Sequence, residues 1–186
     1  MAAELPPLEN ENWPSDVSDL RLGFAGRLNI YRVMAHHPEL LRAWAAHRDH
    51  LVLANALGPR LTETIVLRIA ARLGSDYEWA HHTVRGRQSG LPDELISAIS
   101  RTPDELTGQE ALIVGAVDQL IGQYRLDEDT KRELWRLIGP KGILDLMALV
   151  GMYSTLAFIG SSFSVEIDKD IAAELESNPL DVLPRG

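Results

Sequence analysis

Residues 75–82 read Ser-Asp-Tyr-Glu-Trp-Ala-His-His, and this stretch does most to define the fold. Ser75 is followed three residues later by Glu78, a spacing typical of a capping box, in which each side chain satisfies a free backbone N–H at the start of a helix. Gly74, immediately before it, suits the left-handed conformation that ends a preceding helix. The stretch therefore predicts that one helix ends and another begins within a few residues.

Helical spacing of apolar residues extends outward from this stretch over almost the whole chain. The alternation of β-branched and polar residues that is typical of strands is weak. The sequence therefore predicts an all-α fold. The predicted helices cover residues 38–57, 60–73, 75–88, 91–99, 107–124, 127–138 and 143–159; a short helical or irregular segment precedes them at 26–33, and a terminal turn at 170–176 leads into a tail at 178–186.

Local signals refine the bounds of these helices. Thr107 and Glu110 have the spacing of a second capping box, Asp127 is a candidate N-cap, and Pro92 suits the first position of a helix. The Gly-Pro step at 139–140 is expected to break the chain before the last long helix.

Composition and charge limit the classes of protein to which this chain can belong. The chain has 186 residues, 45% of them hydrophobic, so it is long enough for one sizeable core, and we predict a single domain over residues 1–186. Its 18 basic and 27 acidic residues give a formal net charge of -9, which argues against nucleic acid as a partner.

Two further stretches bear on location. Residues 1–10 have no apolar run of the kind that a signal peptide contains, and the longest apolar stretch, 143–159, is interrupted by Asp145. We therefore expect a cytoplasmic protein without a membrane partner, in which 143–159 is a buried helix.

The chain contains no cysteine. This absence excludes a disulfide scaffold, a thiolate zinc site, an iron–sulfur cluster and a cysteine nucleophile. No Gly-rich phosphate loop follows a strand, so nucleotide binding has no support either. We expect no cofactor.

Glu63 is a candidate for acid–base chemistry because it lies on a largely apolar face of the helix predicted over 60–73. At about 100° per residue it falls between Leu67 and Ala70, outside the polar arc of that helix. Desolvation at such a position favours the protonated carboxyl, which suits a general acid or base, unless an Arg or His partner holds it ionised. The alternative is a structural role, as a carboxylate favoured by the helix dipole or as half of an ion pair.

Two pairs of side chains within 75–82 are spaced four residues apart, so the members of each pair can touch on a helix. Tyr77 and His81 share one face, and Glu78 and His82 share the neighbouring face. A Glu that contacts a His can hold one tautomer of the ring or favour its charged form, as a proton shuttle needs near neutral pH. The alternative for His82 is an ordinary surface pair, with Glu78 already explained by the capping box.

A metal site is a separate hypothesis, because Glu63, Glu78, His81 and His82 could supply ligands. Adjacent histidines point about 100° apart on a helix and do not normally hold one ion together, unlike a pair spaced four residues apart. We therefore expect no metal.

A family resemblance is carried by five features of the central segment: Glu63, Tyr77, Glu78, His82 and the step Gly90-Leu91. Together they resemble the core motif of the carboxymuconolactone decarboxylase and alkylhydroperoxidase D-like family. The segments Leu28 to Pro38 and Gly151 to Tyr153 extend the resemblance, which covers a core of about residues 29–160. It implies an alkylhydroperoxidase D-like helical bundle.

The peroxidase branch of that family has a Glu before a Cys-x-Tyr-Cys-x-x-x-His motif, and these residues form a proton relay around a redox dithiol. The relay residues match Glu63, Tyr77 and His82, but Ser75 and Glu78 stand where the two cysteines would be. A serine hydroxyl cannot form the thiolate that attacks a peroxide, nor cycle through a disulfide. Thiol peroxidase activity is therefore not expected.

The decarboxylase branch needs no organic cofactor, and it has a Glu and a His at the spacing of Glu78 and His82. The resemblance implies a lyase that acts on a small carboxylated lactone or organic acid. His82 would deliver a proton, with Glu63 or Glu78 orienting it. The substrate carboxylate would lie near an arginine, Arg68, Arg72 or Arg85, and the expected substrate-binding residues are Tyr77, His81, Arg85 and Tyr153.

The same family forms trimers and hexamers with pockets between subunits, so the resemblance also implies a homo-oligomer. Candidate interface residues are Trp135, Leu156, Phe158 and Phe163. The same apolar side chains could instead belong to the hydrophobic core. Two alternatives stay open: a non-catalytic oligomer that binds a small ligand on this scaffold, and a peroxidase-related member without thiol chemistry.

Overall fold

The computed structural model describes residues 4–101 and 103–180, and within those ranges the regular structure is helical, with no strand. The all-α prediction is confirmed, whereas the single-domain organisation over residues 1–186 stays a prediction. The α-helices are α1 (Ser18–Arg21), α2 (Asn29–Met34), α3 (Pro38–Leu53), α4 (Pro59–Leu73), α5 (Asp76–Gln88), α6 (Asp93–Ser100), α7 (Gly108–Gln123), α8 (Glu128–Leu137), α9 (Gly139–Ser162) and α10 (Lys169–Ser177).

Helix α4 occupies the centre of the fold, because it packs against α5, α6, α7 and α9. Its apolar side chains contribute to two hydrophobic clusters. Ile65 and Ile69 belong to the main cluster, with residues of α2, α3 and α9, and Leu67 belongs to a second cluster that includes residues of α6. All three are fully buried, and each such side chain contributes roughly 1.5–3 kcal/mol through the hydrophobic effect. The helix is thus held from several sides.

Two predicted boundaries are confirmed together with their capping interactions. Gly74 ends α4 with a left-handed φ of 63°, which glycine adopts without a Cβ clash. Asp127 precedes α8, and its carboxylate accepts a hydrogen bond from the Thr130 N–H at 2.8 Å.

Helix α3 ends earlier than predicted, at Leu53 instead of residue 57. Asn55 explains the difference, because its side chain bonds backbone groups on both sides of the turn. Its Nδ2 donates to the Leu51 carbonyl at 2.6 Å, and its Oδ1 accepts from the Leu57 N–H at 2.9 Å. Such local hydrogen bonds compete with helix continuation.

The starts of α6 and α7 also differ from prediction. Pro92 is the N-cap of α6 and not its first residue. Thr107 makes no side-chain cap to α7, so the second capping box is absent. Glu110 lies instead 3.3 Å from Nη2 of Arg60, which links α7 to α4.

The last two helices are longer than predicted. The predicted break before the last long helix is present between Leu137 and Gly139, but the Gly-Pro step already forms the first turn of α9, where the missing N–H of proline costs no hydrogen bond. The predicted turn at 170–176 is a helix of nine residues, α10. The part of the predicted tail at 181–186 lies outside the described residues.

Helix α9 is long and apolar enough to span a membrane by length and composition, with a mean hydropathy of 1.8 in its most apolar window. In this fold it packs against α4, α5, α7 and α8. Its Asp145 is 8% exposed, lies 2.7 Å from Nε2 of His50 and accepts a hydrogen bond from the Ala56 N–H at 2.7 Å. A buried acid held by other elements of the chain fits the predicted core helix. The cytoplasmic location stays a prediction.

Candidate active site

The candidate site forms where α5 folds back along α4. Only Gly74 and Ser75 separate the two helices. The Ser75 hydroxyl accepts a hydrogen bond from the Glu78 N–H at 3.4 Å, which is one half of the predicted capping box. In a full capping box the Glu78 side chain would accept from the Ser75 N–H. That N–H donates instead to the Ala70 carbonyl of α4, at 2.9 Å. The Glu78 carboxylate is therefore free for another partner.

His82 lies between two carboxylates. Its Nδ1 is 2.6 Å from Oε2 of Glu63, and its Nε2 is 3.5 Å from Oε2 of Glu78. The three side chains are 2%, 12% and 5% exposed for His82, Glu63 and Glu78 respectively. Each ring nitrogen faces a different carboxylate, so the residues form a chain and do not surround a common centre. Among the described residues, no group of three or more His, Asp and Glu side chains is arranged to hold a metal ion.

The charge state of His82 follows from these neighbours. Burial by itself lowers the pKa of His82, and the positive charge of Arg85 acts in the same direction. The carboxylate of Glu63, and then that of Glu78, outweigh these effects and raise the pKa above its usual value. The site therefore stabilises the imidazolium form relative to that of a free histidine.

Glu78 has one carboxylate oxygen in contact range of His82 and one without a partner. Its Oε1 is buried and makes no hydrogen bond to any residue in the described parts of the chain. Buried carboxylate oxygens normally accept hydrogen bonds, so this atom is an unmet acceptor within the site.

A small cavity of about 10 Å³ adjoins these residues, with room for about one water-sized group. It brings together all four predicted substrate-binding residues and two of the three predicted catalytic ones; Glu63 lies behind His82 and is not part of the wall. Their roles stay predictions. The cavity is lined by Leu28, Ile30, Tyr31, Tyr77, Glu78, His81, His82, Arg85, Tyr153 and Leu156.

Tyr77 and His81 belong to a second hydrogen-bond network, centred on Asp168. Oδ2 of Asp168 accepts from the Tyr77 hydroxyl at 2.5 Å and lies 2.8 Å from Nε2 of His81. The two rings stack with centroids 4.1 Å apart, as the four-residue spacing predicts. The His81 Nδ1 lies 2.8 Å from the Tyr77 carbonyl, so both ring nitrogens face acceptors.

Asp168 was missed by reasoning from sequence. It precedes α10 and has the sequence signature of an N-cap, but its side chain makes no cap bond. It turns inward, where it also accepts from the Asn29 N–H at 3.0 Å. Burial raises the pKa of Asp168, but the hydrogen bonds from His81, Tyr77 and Asn29 lower it by more, so the carboxyl is ionised.

Two further tyrosines complete the wall of the cavity. The Tyr153 ring meets His82 edge to face, with centroids 4.9 Å apart. Burial raises the pKa of Tyr153 well above its usual value and that of Tyr31 to about 12. Both hydroxyls therefore stay protonated and are available as hydrogen-bond donors. Tyr31 lies within the segment Leu28 to Pro38, but the sequence did not mark it as a site residue.

The three candidate arginines differ in their surroundings. Arg68 is bound to Asp118 through two hydrogen bonds of 2.8 and 2.6 Å, and it also donates to two backbone carbonyls. Arg72 lies 3.4 Å from the same carboxylate. Arg85 alone of the three lines the cavity. Of the three candidates, Arg85 is therefore the one that can contact a ligand in this cavity.

Comparison with known proteins gives one family match. The model described as the carboxymuconolactone decarboxylase family matches residues 38–118, which run from α3 into α7 and include Glu63, Glu78 and His82. A comparison with curated protein sequences gives no match. The resemblance to this family that the sequence indicated is thus confirmed over these residues.

Solved structures share the fold over almost their full length. An alkylhydroperoxidase AhpD core, a peroxidase-related protein from Ralstonia eutropha JMP134, is 15% identical, with a TM-score of 0.77 over 91% of this chain and 96% of that one. The debrominase Bmp8 in complex with 2,3,4-tribromopyrrole is 17% identical, with a TM-score of 0.74 over 95% and 98%. A peroxidase-related protein from Silicibacter sp. TM1040 is 15% identical, with a TM-score of 0.72 over 92% and 97%. At these identities the likeness shows a common alkylhydroperoxidase D-like fold.

Proposed function

Because this chain carries the carboxymuconolactone decarboxylase family segment at residues 38–118, we propose that it is a cofactor-independent lyase. Its substrate is a small carboxylated lactone or a related organic acid, and its reaction is a decarboxylation completed by proton transfer. The proposal rests on one observation above all, the position of His82 between the carboxylates of Glu63 and Glu78.

The two contacts of His82 are unequal, and this inequality suits a proton donor. The 2.6 Å contact at Nδ1 is a short charge-assisted hydrogen bond, which fixes the ring and stabilises its charge. The 3.5 Å contact at Nε2 is longer than an ordinary N–H···O hydrogen bond, so that proton is held weakly. A proton on the cavity side of a fixed, charged imidazole is what a general acid needs.

The proposed step balances without an added oxidant or metal. The carbon–carbon bond to the substrate carboxylate breaks, and carbon dioxide leaves. The electron pair of that bond moves onto the carbon that carried the carboxylate, stabilised by the adjacent carbonyl of the lactone. That carbon takes the proton from Nε2 of His82, and water then restores the proton to the ring.

The remaining groups of the cavity bind and orient the substrate in this proposal. Arg85 pairs with the carboxylate before it is lost, because a guanidinium matches a carboxylate with two parallel hydrogen bonds. The hydroxyl of Tyr153 donates to the lactone oxygens. Tyr77 and His81 form the opposite wall, where Asp168 holds their rings in place.

A homo-oligomer is part of the same proposal. Of the four candidate interface residues, Trp135 and Phe158 are 62% and 60% exposed, whereas Leu156 is buried and Phe163 packs partly against the core. Exposed aromatic side chains at this level are typical of interfaces. The interface is therefore proposed for the outer face of α8 and α9.

The test is a screen of the purified chain against carboxylated lactones and related acids, following binding and carbon dioxide release together. His82→Gln removes the proton donor and is expected to lower release about 1000-fold, in the middle of the roughly 10²–10⁴-fold contribution of acid–base catalysis. His47→Gln, an exposed histidine on α3, is the matched control and should leave release unchanged.

Each outcome of this screen has a definite meaning. Carbon dioxide release that persists in His82→Gln would remove His82 from the mechanism. Binding without release, equal in both proteins, would favour the alternative of a non-catalytic ligand-binding oligomer. The close contact of Glu63 with His82 supports the catalytic alternative, because a binding protein has no need of a charged proton donor inside its site.

A further inference from the structure

The unmet acceptor on Glu78 restricts what this site binds. The side chain is 5% exposed, its Oε2 faces His82, and its Oε1 has no hydrogen-bond partner in the described chain. A ligand that brings a hydrogen-bond donor to this atom supplies a bond that the free protein lacks. A second carboxylate at the same place would meet a like charge, which is unfavourable in a buried site.

Arg85 supplies the complementary group at the other end of the cavity. It lies seven residues after Glu78 on α5, which places the two on one face of the helix, roughly 10 Å apart along its axis. Its side chain makes no ion pair or hydrogen bond with any described residue, whereas Arg68 and Arg87 are paired with Asp118 and Asp93. The half-buried guanidinium is therefore available to an anion.

The size of the cavity indicates which end of a ligand makes which of these two contacts. At about 10 Å³ it has room for one water-sized group beside Glu78 and His82. A hydroxyl fits this space, and the larger parts of a ligand lie beyond it. The hydroxyl end of a ligand thus enters the cavity, and its charged end lies outward, toward Arg85.

We propose that the ligands of this site are small monocarboxylic acids that also carry a hydroxyl group, with the carboxylate on Arg85 and the hydroxyl donating to Oε1 of Glu78. This inference rests on the proposed function in that it uses the same site, but it concerns binding and does not require turnover. It ranks three classes of anion: hydroxy acids bind most tightly, the parent acids without the hydroxyl bind less tightly, and dicarboxylates of similar length bind least.

The test uses matched pairs of simple acids and the full chain. Dissociation constants are measured by NMR titration for glycolate against acetate, 3-hydroxypropionate against propionate, and 4-hydroxybutyrate against butyrate, with malonate and succinate as dicarboxylates. In the best pair, the hydroxyl is expected to tighten binding about tenfold or more, as for a hydrogen bond to a charged group. The chain length of that pair gives the spacing between the two contacts.

Three variants assign the contacts. Glu78→Gln keeps the shape of the side chain but removes the anionic acceptor, so the preference for the hydroxyl should fall to less than twofold while the acids still bind. Arg85→Met should weaken every acid at least tenfold. Arg125→Met, an exposed arginine between α7 and α8, should change nothing. Circular dichroism and melting temperature establish that each variant is folded.

The inference is overturned if no hydroxy acid binds more than twofold tighter than its parent, if Glu78→Gln keeps the preference, or if Arg125→Met weakens binding as much as Arg85→Met. These results are separate from the fate of the lyase proposal. Absence of carbon dioxide release with the hydroxyl preference intact removes only the proposed reaction. Release from lactones without any hydroxyl preference removes only the inference about the ligand.

Discussion

Nδ1 of His82 lies 2.6 Å from Oε2 of Glu63, and this contact joins α5 to α4 at the centre of the site. The two residues are 19 positions apart in the chain, and neither side chain has more than 12% of its surface exposed. A buried pair of this kind makes the protonation of the histidine part of the stability of the fold.

The first prediction concerns the pH dependence of this pair. Burial lowers the pKa of His82, but Glu63 and Glu78 raise it by more, so the folded-state value lies above about 6.5. A raised histidine pKa contributes stability that is fully present below about pH 6.5 and is lost as the pH rises through the folded-state value. NMR titration of the His82 ring should give a midpoint above 6.5, and the free energy of unfolding should fall over the same range.

Glu63→Gln tests the cause of that shift. The neutral amide no longer stabilises the imidazolium, so the midpoint of His82 should move down and the loss of stability above pH 6.5 should shrink. Glu94→Gln, an exposed residue of α6, should leave both unchanged. An unaltered His82 midpoint in Glu63→Gln would show that Glu63 is not the main source of the shift.

The second prediction concerns Asp168. Asp168→Ala should lower the free energy of unfolding by about 2–4 kcal/mol, because the Tyr77 hydroxyl and the His81 ring lose a buried partner. Urea unfolding at neutral pH measures the effect. Asp170→Ala, in the exposed first turn of α10, is the control and should change stability by less than about 0.5 kcal/mol.

Acid unfolding provides an independent test of the same carboxylate. Burial raises the pKa of Asp168, but its hydrogen bonds from His81, Tyr77 and Asn29 lower it by more. The stability from a depressed carboxyl pKa is present above about pH 4 and is lost as the pH falls through the folded-state value. Asp168→Asn should therefore lose less stability than the parent chain between pH 4 and pH 2. Parallel curves would contradict the network.

The third prediction concerns assembly. Three exposed side chains lie along one face of α9. They are Leu144, Met147 and Phe158, which are 67%, 37% and 60% exposed. Light scattering of the parent chain should give a multiple of 20.6 kDa. Phe158→Glu should lower that mass, because a buried charge opposes association. Leu22→Glu, at a residue that is 78% exposed and directly follows α1, should keep it. A parent chain that is only monomeric would remove the proposed oligomer.

The fourth prediction contrasts two glycines. Gly115 lies inside α7, and a Cβ there would meet nothing within 4 Å, so Gly115→Ala should stabilise the fold by about 0.5–1 kcal/mol. Gly74 has equal space but a φ of 63°, so Gly74→Ala should destabilise it by about 1 kcal/mol. Thermal unfolding measures both. Equal effects of the two substitutions would mean that backbone conformation does not decide the outcome.

Much of the secondary structure could be predicted from local patterns. Gly74 and Ser75 marked the junction of α4 and α5, and Asp127 marked the start of α8, because capping depends on residues within one turn of each other. The predicted helix bounds were wrong where the residue types next to a boundary did not determine where the helix ends or begins. Asn55 ended α3 early through bonds on both sides of a turn, and Pro140 entered a helix because its first turn needs no N–H.

The sequence by itself determined the chemistry that is available. The absence of cysteine excludes a thiol mechanism in any fold, and four-residue spacing on a helix brought Tyr77 to His81 and Glu78 to His82. Both conclusions depend on composition or on the geometry of one helix, which the chain specifies locally.

Only the tertiary structure decided which of these residues act together. Glu63 reaches His82 because α4 and α5 pack side by side, and Asp168 reaches His81 from 87 positions away because α10 packs on α5. The same packing pairs Arg68 with Asp118 and places Arg85 in the wall of the cavity. Contacts between distant positions depend on how whole helices bury their apolar faces, and no local spacing in the sequence encodes them.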